Sequence, residues 1–518
     1  MKKLCLMILA LGCALVCAAG LDLLIKHYLK NNMDKAIYDN KAYTRNCSDY
    51  VMDQIIDENS IVVLGSSELG ASDELAFPKA LFNNGYSDFN MILMGTAHLQ
   101  SLPQAINVGA LQNNIKNGKI VLILSPQWFS ASGLSTQAYS SRFEELNFVQ
   151  FLRNKNISKQ TKIAVSNRIN GLLTADPTTL DRVIKDENVY LYHSLNPFTY
   201  IEMITYNMFR DAKTRFELVD EFNSLSPLDK TNYIHANEIN FDSLLLQAAE
   251  LGAESCTNNE FGIYDEYFNT YIRNEFEGFK GRSEAESYAV SPEYGDFRLF
   301  LDVCKETGIE PLIISVPVNG RWYDYTGFSK ADRNTYYQNI RDICAEYGVS
   351  LVDFSEKEYE LYFLKDIMHM GWKGWAYLDK AVYSFYKGEK NETSTSYEEL
   401  LTGTFDLSPG VSMLSEGAYS FTTRVDGNSF NSVVVSVVQD NALIDSTAAA
   451  GVRSGVYLHT MDSGYYMIRF GASSSLQDEF IDAKIYLENG MVYKVMYRVD
   501  SIENNLISIR DISFSKVN

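Results

Sequence analysis

Two short stretches of this chain carry residue types suited to nucleophilic chemistry. In the first, the β-branched run Ser60-Ile61-Val62-Val63-Leu64 breaks into Gly65-Ser66-Ser67-Glu68-Leu69-Gly70. A serine just past a strand end, opening a helix, is exposed at the positive end of the helix dipole, which suits a nucleophile. The same serines also read as a helix cap. Leu69 stands where a second glycine would be, so the run is not the Gly-x-Ser-x-Gly elbow of α/β hydrolases. The second stretch is Asp366-Ile367-Met368-His369-Met370-Gly371-Trp372-Lys373-Gly374-Trp375. Aspartate and histidine three positions apart on a helical turn face one another, so Asp366 can hold one imidazole nitrogen of His369 while the other takes a serine proton. His98, after the second apolar run, is the nearest competitor, but its neighbours Thr96 and Gln100 supply no orienting acid. Acyl transfer through serine also needs oxyanion donors. Gly95 and Gln127 each follow a further apolar run and so reach the same sheet edge as Ser67. The four tryptophans, Trp128, Trp322, Trp372 and Trp375, accompany Gly, Lys and Arg in turn-like segments. Such placing fits cleft walls as well as core packing. Arg321 and Lys373 are candidates for binding phosphate. No cysteine or histidine spacing of a metal site and no phosphate-binding glycine loop is present.

The elements that must position these residues read as a doubly wound α/β sheet. Ile61–Leu64, Asn90–Met94, Lys119–Leu124, Leu312–Val316 and Val349–Asp353 are short apolar runs ending in turn residues, each a buried parallel strand. Between the later runs, Phe297, Phe300, Leu301 and Cys304 share a helical face. Ser329-Lys330-Ala331-Asp332 then caps a helix carrying Ile340, Ile343, Cys344 and Tyr347. Ligands of such folds sit beyond the strand carboxyl ends. Residues 135–290 are a mostly helical insertion, exemplified by Ile201–Leu218, fit to form a lid or a partner surface. From residue 392 to 518 the composition turns to Ser, Thr, Val, Gly and Tyr in alternating runs such as Ser432–Val438 and Val492–Val499, which predicts an all-β sandwich joined by the polar stretch Lys387–Tyr397. At the N-terminus, Leu4–Leu21 carries no charge and nearly matches a bilayer's hydrocarbon thickness, which favours an uncleaved anchor over a signal peptide cleaved near Cys17-Ala18-Ala19, the run being long for the latter. Lys2 and Lys3 before it, and the mixed charges Asp22, Lys26, Lys30, Asp34 and Lys35 after it, place the bulk of the chain outside the cell.

The 518 residues leave room for several domains, and 46% apolar content excludes disorder as the main state. Lys and Arg number 45 against 66 Asp and Glu, a net charge of −21 that argues against nucleic-acid binding through a broad basic surface. A polyanionic partner needs a local basic patch. Of the seven cysteines, Cys5, Cys13 and Cys17 lie in the N-terminal apolar run, and the scattered Cys47, Cys256, Cys304 and Cys344 make no dense disulfide framework but leave one or two bridges open.

Gly-Ser-Ser-Glu-Leu, Ser-Pro-Gln-Trp-Phe, Pro-Val-Asn-Gly-Arg-Trp-Tyr-Asp-Tyr and Asp-x-x-His-x-Gly-Trp-Lys-Gly-Trp, in that order behind an anchor, resemble the DltD family of D-alanyl-lipoteichoic acid biosynthesis proteins. The resemblance covers residues 1–388. It implies an SGNH-hydrolase-like, flavodoxin-like three-layer sandwich over 45–388, held on the outer face of a Gram-positive membrane and taking part in esterifying teichoic acid with D-alanine. It also implies Ser67, rather than Ser66, as nucleophile, His369 as base and Asp366 as its orienting acid. The oxyanion hole is then Ser67, Gly95 and Gln127, with Gln127 standing where the superfamily has asparagine. Trp128, Asn319, Arg321, Trp322, Trp372 and Lys373 become substrate-binding candidates. The implied partners are a membrane-bound O-acyltransferase of the DltB type, a small membrane peptide of the DltX type and a teichoic acid acceptor; no metal or other cofactor is implied. The same triad would also serve a wall-polymer esterase or thioesterase, and a vestigial one would leave a non-catalytic scaffold. Residues 392–518 and the strong negative charge depart from the family pattern.

Overall fold

A computed structural model of the chain describes residues 2–33, 49–70, 75–82, 86–193, 196–225 and 233–389, and beyond these the backbone of strands between 407 and 516. The chain divides into two compact units, Met1–Asn391 and Glu392–Asn518.

The first unit is built on five parallel strands, β1 (Ser60–Gly65), β2 (Asn90–Gly95), β3 (Lys119–Leu124), β4 (Glu310–Ser315) and β5 (Ser350–Asp353). Their order is β2-β1-β3-β4-β5, one of the two common doubly wound arrangements. All five apolar runs of the sequence become strands of this sheet; β1 to β4 are buried on both faces by the helices that cover them, and the edge strand β5 is only partly buried. Val62, Leu64, Ile92 and Leu122 point to one face, and Ile61, Val63, Leu93 and Val121 to the other.

The labelled helices, in chain order, are α1 (Lys2–Asn31), α2 (Ser101–Leu111), α3 (Pro197–Ser224), α4 (Phe241–Ser255), α5 (Glu293–Thr307), α6 (Lys330–Tyr347) and α7 (Trp372–Lys387). Helices α2, α5 and α6 pack on the first face, α4 and α7 on the second. The face read for α5, with Phe297, Phe300, Leu301 and Cys304, is buried. Ser329 caps α6 by accepting the Asp332 N–H. Cys304 and Cys344 are buried free thiols, whereas Cys47 lies outside the described residues.

Helix α1 is long and apolar enough to cross a membrane over Gly12–Asn31, with mean hydropathy 1.4. It does not stop at Leu21. Asp22 is satisfied by Lys26 at 2.9 Å and Arg215 at 2.8 Å, so the helix passes through it and packs Ile25 and Leu29 into the domain core. In the second unit, β6 (Leu407–Ser408), β7 (Tyr419–Asp426), β8 (Phe430–Val437), β10 (Gly464–Gly471) and β11 (Phe480–Leu487) form a five-stranded sheet ordered β6-β11-β10-β8-β7, and β9 (Arg453–His459), β12 (Val492–Glu503) and β13 (Leu506–Lys516) a three-stranded sheet ordered β13-β12-β9. The linker read at 387–397 lies outside the described residues from 390 onward.

Candidate functional site

The site forms at the carboxyl edge of the sheet, where β1 ends and its backbone turns sharply. Beyond Gly65 the chain makes one 3₁₀ turn, Ser67–Leu69, rather than opening a full helix, so no macrodipole acts on Ser67. Buried side chains hold the turn from behind. The Gln104 amide donates to the Gly65 carbonyl at 2.6 Å and to the Met94 carbonyl at 3.3 Å. Asn107 donates to Gln104 Oε1 at 2.9 Å, and Asn147 to Asn107 Oδ1 at 2.9 Å. Gly95, at the end of β2, leaves no room for a side chain: a Cβ there would lie 2.8 Å from the Gly65 carbonyl carbon and the Ser66 oxygen. Its bare backbone lets the Ser66-Ser67 turn settle onto the strand edge.

From the far end of the chain comes the loop before α7. It is pinched by a bridge between Leu364 and Met370 and by the Lys365 N–H donating to the His369 carbonyl at 2.9 Å. Asp366 and His369 therefore meet across a tight bend, not along a helical turn. Asp366 Oδ1 accepts the Met368 and His369 N–H groups, both at 2.8 Å, which is the local bonding that lets aspartate nucleate turns. Its Oδ2 lies 2.8 Å from His369 Nδ1. With Nδ1 carrying its proton toward Asp366, Nε2 accepts from the Ser67 hydroxyl at 2.9 Å. Two segments 302 residues apart thus form one continuous Asp–His–Ser hydrogen-bonded line.

Glu68 carries no role in the sequence reading, yet it stands beside this line. Its buried carboxylate accepts the Ser66 N–H at 2.8 Å. A Cβ at position 65 would be 2.6 Å from Oε1, so Gly65 makes the space for it. Burial pushes its pKa up, against the backbone donors and the nearby His369 charge. Burial alone would lower the His369 pKa, but the hydrogen bond and charge of Asp366, with Glu68 adding to them, outweigh it and raise it above 6.5. The folded state thus holds this proton more tightly than the unfolded one. Its contribution to stability is complete below 6.5 and is lost as pH rises through the raised value. A base must be neutral, so activity is expected to rise with pH through a midpoint above 6.5. Glu68→Gln keeps an acceptor for Ser66 but removes the charge, so it should move that midpoint down. A pH profile of kcat/KM checks both, and an unshifted midpoint would mean that Glu68 is protonated in the resting site.

Ser67, Glu68, Asp366 and His369 open onto a cavity of about 530 Å³. Its other wall is aromatic: Trp322, Phe279 and a ladder of Tyr264, Tyr267 and Tyr271 from the helical insertion. The insertion thus walls the cavity with tyrosines. The reading of the chain missed these residues, although their helical spacing on a mostly polar segment was a usable signal.

The remaining expected residues are placed differently. Gln127 is half-buried in the turn after β3, and its amide makes no hydrogen bond among the described residues. Trp128 is 2% exposed and Trp375 1% exposed, both in the core, and Trp372 is buried against Tyr362. Asn319 caps a helical turn by accepting the Trp322 N–H at 3.1 Å, and its amide donates to the Phe261 carbonyl at 3.0 Å. Lys373 is ion-paired with Glu360, which occupies the charge a phosphate would need. Arg321 is half-buried, and burial lowers its pKa. None of these residues lines the cavity; of the six read as substrate-binding, Trp322 alone does. His98 is exposed in a turn at φ +70°. Among the described residues no group of acidic, histidine and cysteine side chains has the arrangement of a metal site.

Comparison with known proteins agrees with the motifs. The DltD protein family model matches residues 40–387, ending before the second unit begins. Protein DltD of Bacillus subtilis (strain 168) is 32% identical over 355 residues, 67% of this chain and 87% of that protein. Protein DltD of Staphylococcus aureus (strain NCTC 8325 / PS 47) is 27% identical, over 65% of this chain and 84% of its own length. Protein DltD of Lacticaseibacillus rhamnosus is 26% identical, over 66% and 80%.

Proposed function

This chain belongs to the DltD family, and on that premise we propose that it is a membrane-anchored, extracytoplasmic serine O-acyltransferase in the D-alanylation of teichoic acids. The observation that carries the reading is the line from Asp366 Oδ2 through His369 to Ser67 Oγ, with both contacts below 3.0 Å. The sheet order, with Ser67 past β1, Gly95 at the end of β2 and Gln127 past β3, supports an SGNH-hydrolase-like assignment for residues 45–388. Residues 392–518 are then an added all-β module.

In the first half-reaction His369 Nε2 takes the Ser67 proton as Oγ attacks the carbonyl of an activated D-alanyl group. Asp366 holds Nδ1–H and stabilises the imidazolium. The oxyanion is met by the Ser67 N–H; Gly95 and Gln127, the other expected donors, do not line the cavity. His369 returns the proton to the departing group, leaving D-alanyl-Ser67. In the second half-reaction His369 deprotonates a hydroxyl of the polymer, which attacks the acyl-serine and regenerates Oγ–H. A membrane-bound O-acyltransferase and a small membrane peptide deliver the D-alanyl group, and water is the competing acceptor.

A fluorophosphonate probe tests the nucleophile. It should label wild type at Ser67 and label His369→Ala far more slowly, since the serine then lacks its base. Equal labelling of the two would remove the catalytic reading.

A further inference from the structure

Serine acyl transfer has no step for Glu68, yet this carboxylate stands at the centre of the site. It is 8% exposed, follows the nucleophile directly in the chain and lines the cavity with Ser67. It accepts backbone N–H groups, those of Ser66 and of Glu68 itself, and among the described residues no lysine or arginine pairs with it. The His369 charge acts on it, but only while the ring is protonated, which is not the state of a base. Buried carboxylates are rare unless a cation meets them, because burial strips the charge of its water. The chain nevertheless makes room for this one, since a Cβ at position 65 would lie 2.6 Å from Oε1.

Asp366, the other carboxylate on the wall, is already spent. Its Oδ1 accepts the Met368 and His369 N–H groups and its Oδ2 faces His369 Nδ1. With these two carboxylates, Lys365 and a neutral His369, the wall carries one negative charge in excess. The rest is largely aromatic, Tyr264, Tyr267, Tyr271, Phe279 and Trp322, and aromatic faces also favour a cation. A cavity lined in this way is complementary to a small cationic acyl group. D-alanyl bears its ammonium on the carbon next to the carbonyl that Ser67 attacks. The group that reads this charge must therefore stand beside the nucleophile, as Glu68 does.

We propose that Glu68 is the specificity-determining residue for the acyl group, taking the α-ammonium as its counter-ion and so selecting aminoacyl over neutral acyl groups of the same shape. The inference rests on the proposed D-alanyl transfer. An acyl group without the ammonium leaves the carboxylate buried and uncompensated, so selection works by rejecting the wrong group as well as by attracting the right one.

Boronic acids test this without a donor or partner proteins, because Ser67 Oγ adds to boron and holds the boronate where the acyl carbon would sit. D-configured α-aminoethylboronic acid carries the methyl and ammonium of D-alanyl, and isopropylboronic acid replaces the ammonium by methyl. The measurement is the concentration of each that halves the rate of fluorophosphonate labelling of Ser67 in the full chain. In wild type the aminoethyl compound should act at a concentration on the order of 10- to 100-fold lower. Glu68→Gln keeps an acceptor for the Ser66 N–H and should shrink that ratio by on the order of tenfold, and Glu68→Asp, which keeps the charge, should restore part of it. Any change in His369 basicity affects both compounds alike and cancels in the ratio, as does the intrinsic difference between the two boron centres when variants are compared. An equal ratio in wild type and Glu68→Gln would overturn the inference and leave the serine nucleophile standing. Absence of Ser67 labelling in wild type would instead overturn the acyl-transfer reading, and the inference with it.

Discussion

Alanine at position 67 is expected to lower D-alanyl transfer by a factor on the order of 10⁴ or more while leaving the fold intact. The hydroxyl bonds to the His369 ring, so its removal strands no buried group, and the thermal midpoint should stay within the range of a neutral substitution. The proposed mechanism passes through a covalent D-alanyl-serine, and no neighbouring side chain replaces the missing oxygen: the Ser66 hydroxyl is turned away, donating to the Thr96 carbonyl at 3.3 Å. Asp366→Asn should act nearly as strongly for a different reason. The amide oxygen can still accept the two backbone N–H groups, which leaves NH₂ facing His369 Nδ1. That donor forces the proton onto Nε2, where it can no longer accept from Ser67. Polymer D-alanine content in strains carrying each variant is the measurement. Unchanged D-alanine in Ser67→Ala would make the chain a scaffold of the D-alanylation machinery rather than its catalyst.

The second large effect concerns stability and the loops that frame the site. The Arg333 side chain is fully buried, donating to Asp324 at 2.8 Å, to the Phe328 carbonyl at 3.2 Å and to Tyr359 at 3.2 Å, with Glu358 at 3.3 Å. Glu358 in turn accepts from Tyr337 at 2.9 Å, and its carbonyl accepts the Gly320 N–H at 2.7 Å. This one guanidinium ties the segment after β4, which carries Trp322, to the segment after β5 that leads into Asp366 and His369. Truncating one partner of a buried ion pair leaves the other charge without compensation. Arg333→Ala should therefore destabilise the first unit by about 3–5 kcal/mol. Its melting midpoint should fall by about 4–6 °C. Arg333→Lys keeps the charge but not the planar fork and should fall between wild type and alanine. A thermal melt of the full chain reads all three. If Arg333→Ala melts with wild type, the buried network is not what holds these loops.

Legibility in the sequence followed burial. The strands were readable because β1 to β4 are covered on both faces and so appear as unbroken runs of Val, Ile and Leu, with ends misplaced by at most two residues. Side chains whose roles depend on a distant neighbour were not readable. Asn319, Trp128 and Lys373 sit in turn-like sequences of the right composition, yet each is taken up locally, as a cap, a core ring and an ion pair. Glu68 could be seen beside the serines, but nothing along the chain shows that Gly65 clears a space for its carboxylate. The stretch Ile201–Leu218 read as helical, but only the structure showed that Ile201, Met208, Phe209 and Phe216 of α3 face outward.

What the sequence determined by itself was the set of local commitments: which runs become strands, where α6 is capped, that Ser67 stands just past a strand end, and that Asp366 and His369 are three positions apart. Hydrophobic periodicity and hydrogen bonds to near neighbours act over a few residues, so they leave their record in adjacent letters. Only the tertiary structure decided that Ser67 and His369 touch, that tyrosines from the insertion wall the cavity, and that Arg333 fastens its rim. Those contacts are made by packing segments hundreds of positions apart, and the energy that selects them belongs to the assembled core rather than to any stretch of chain.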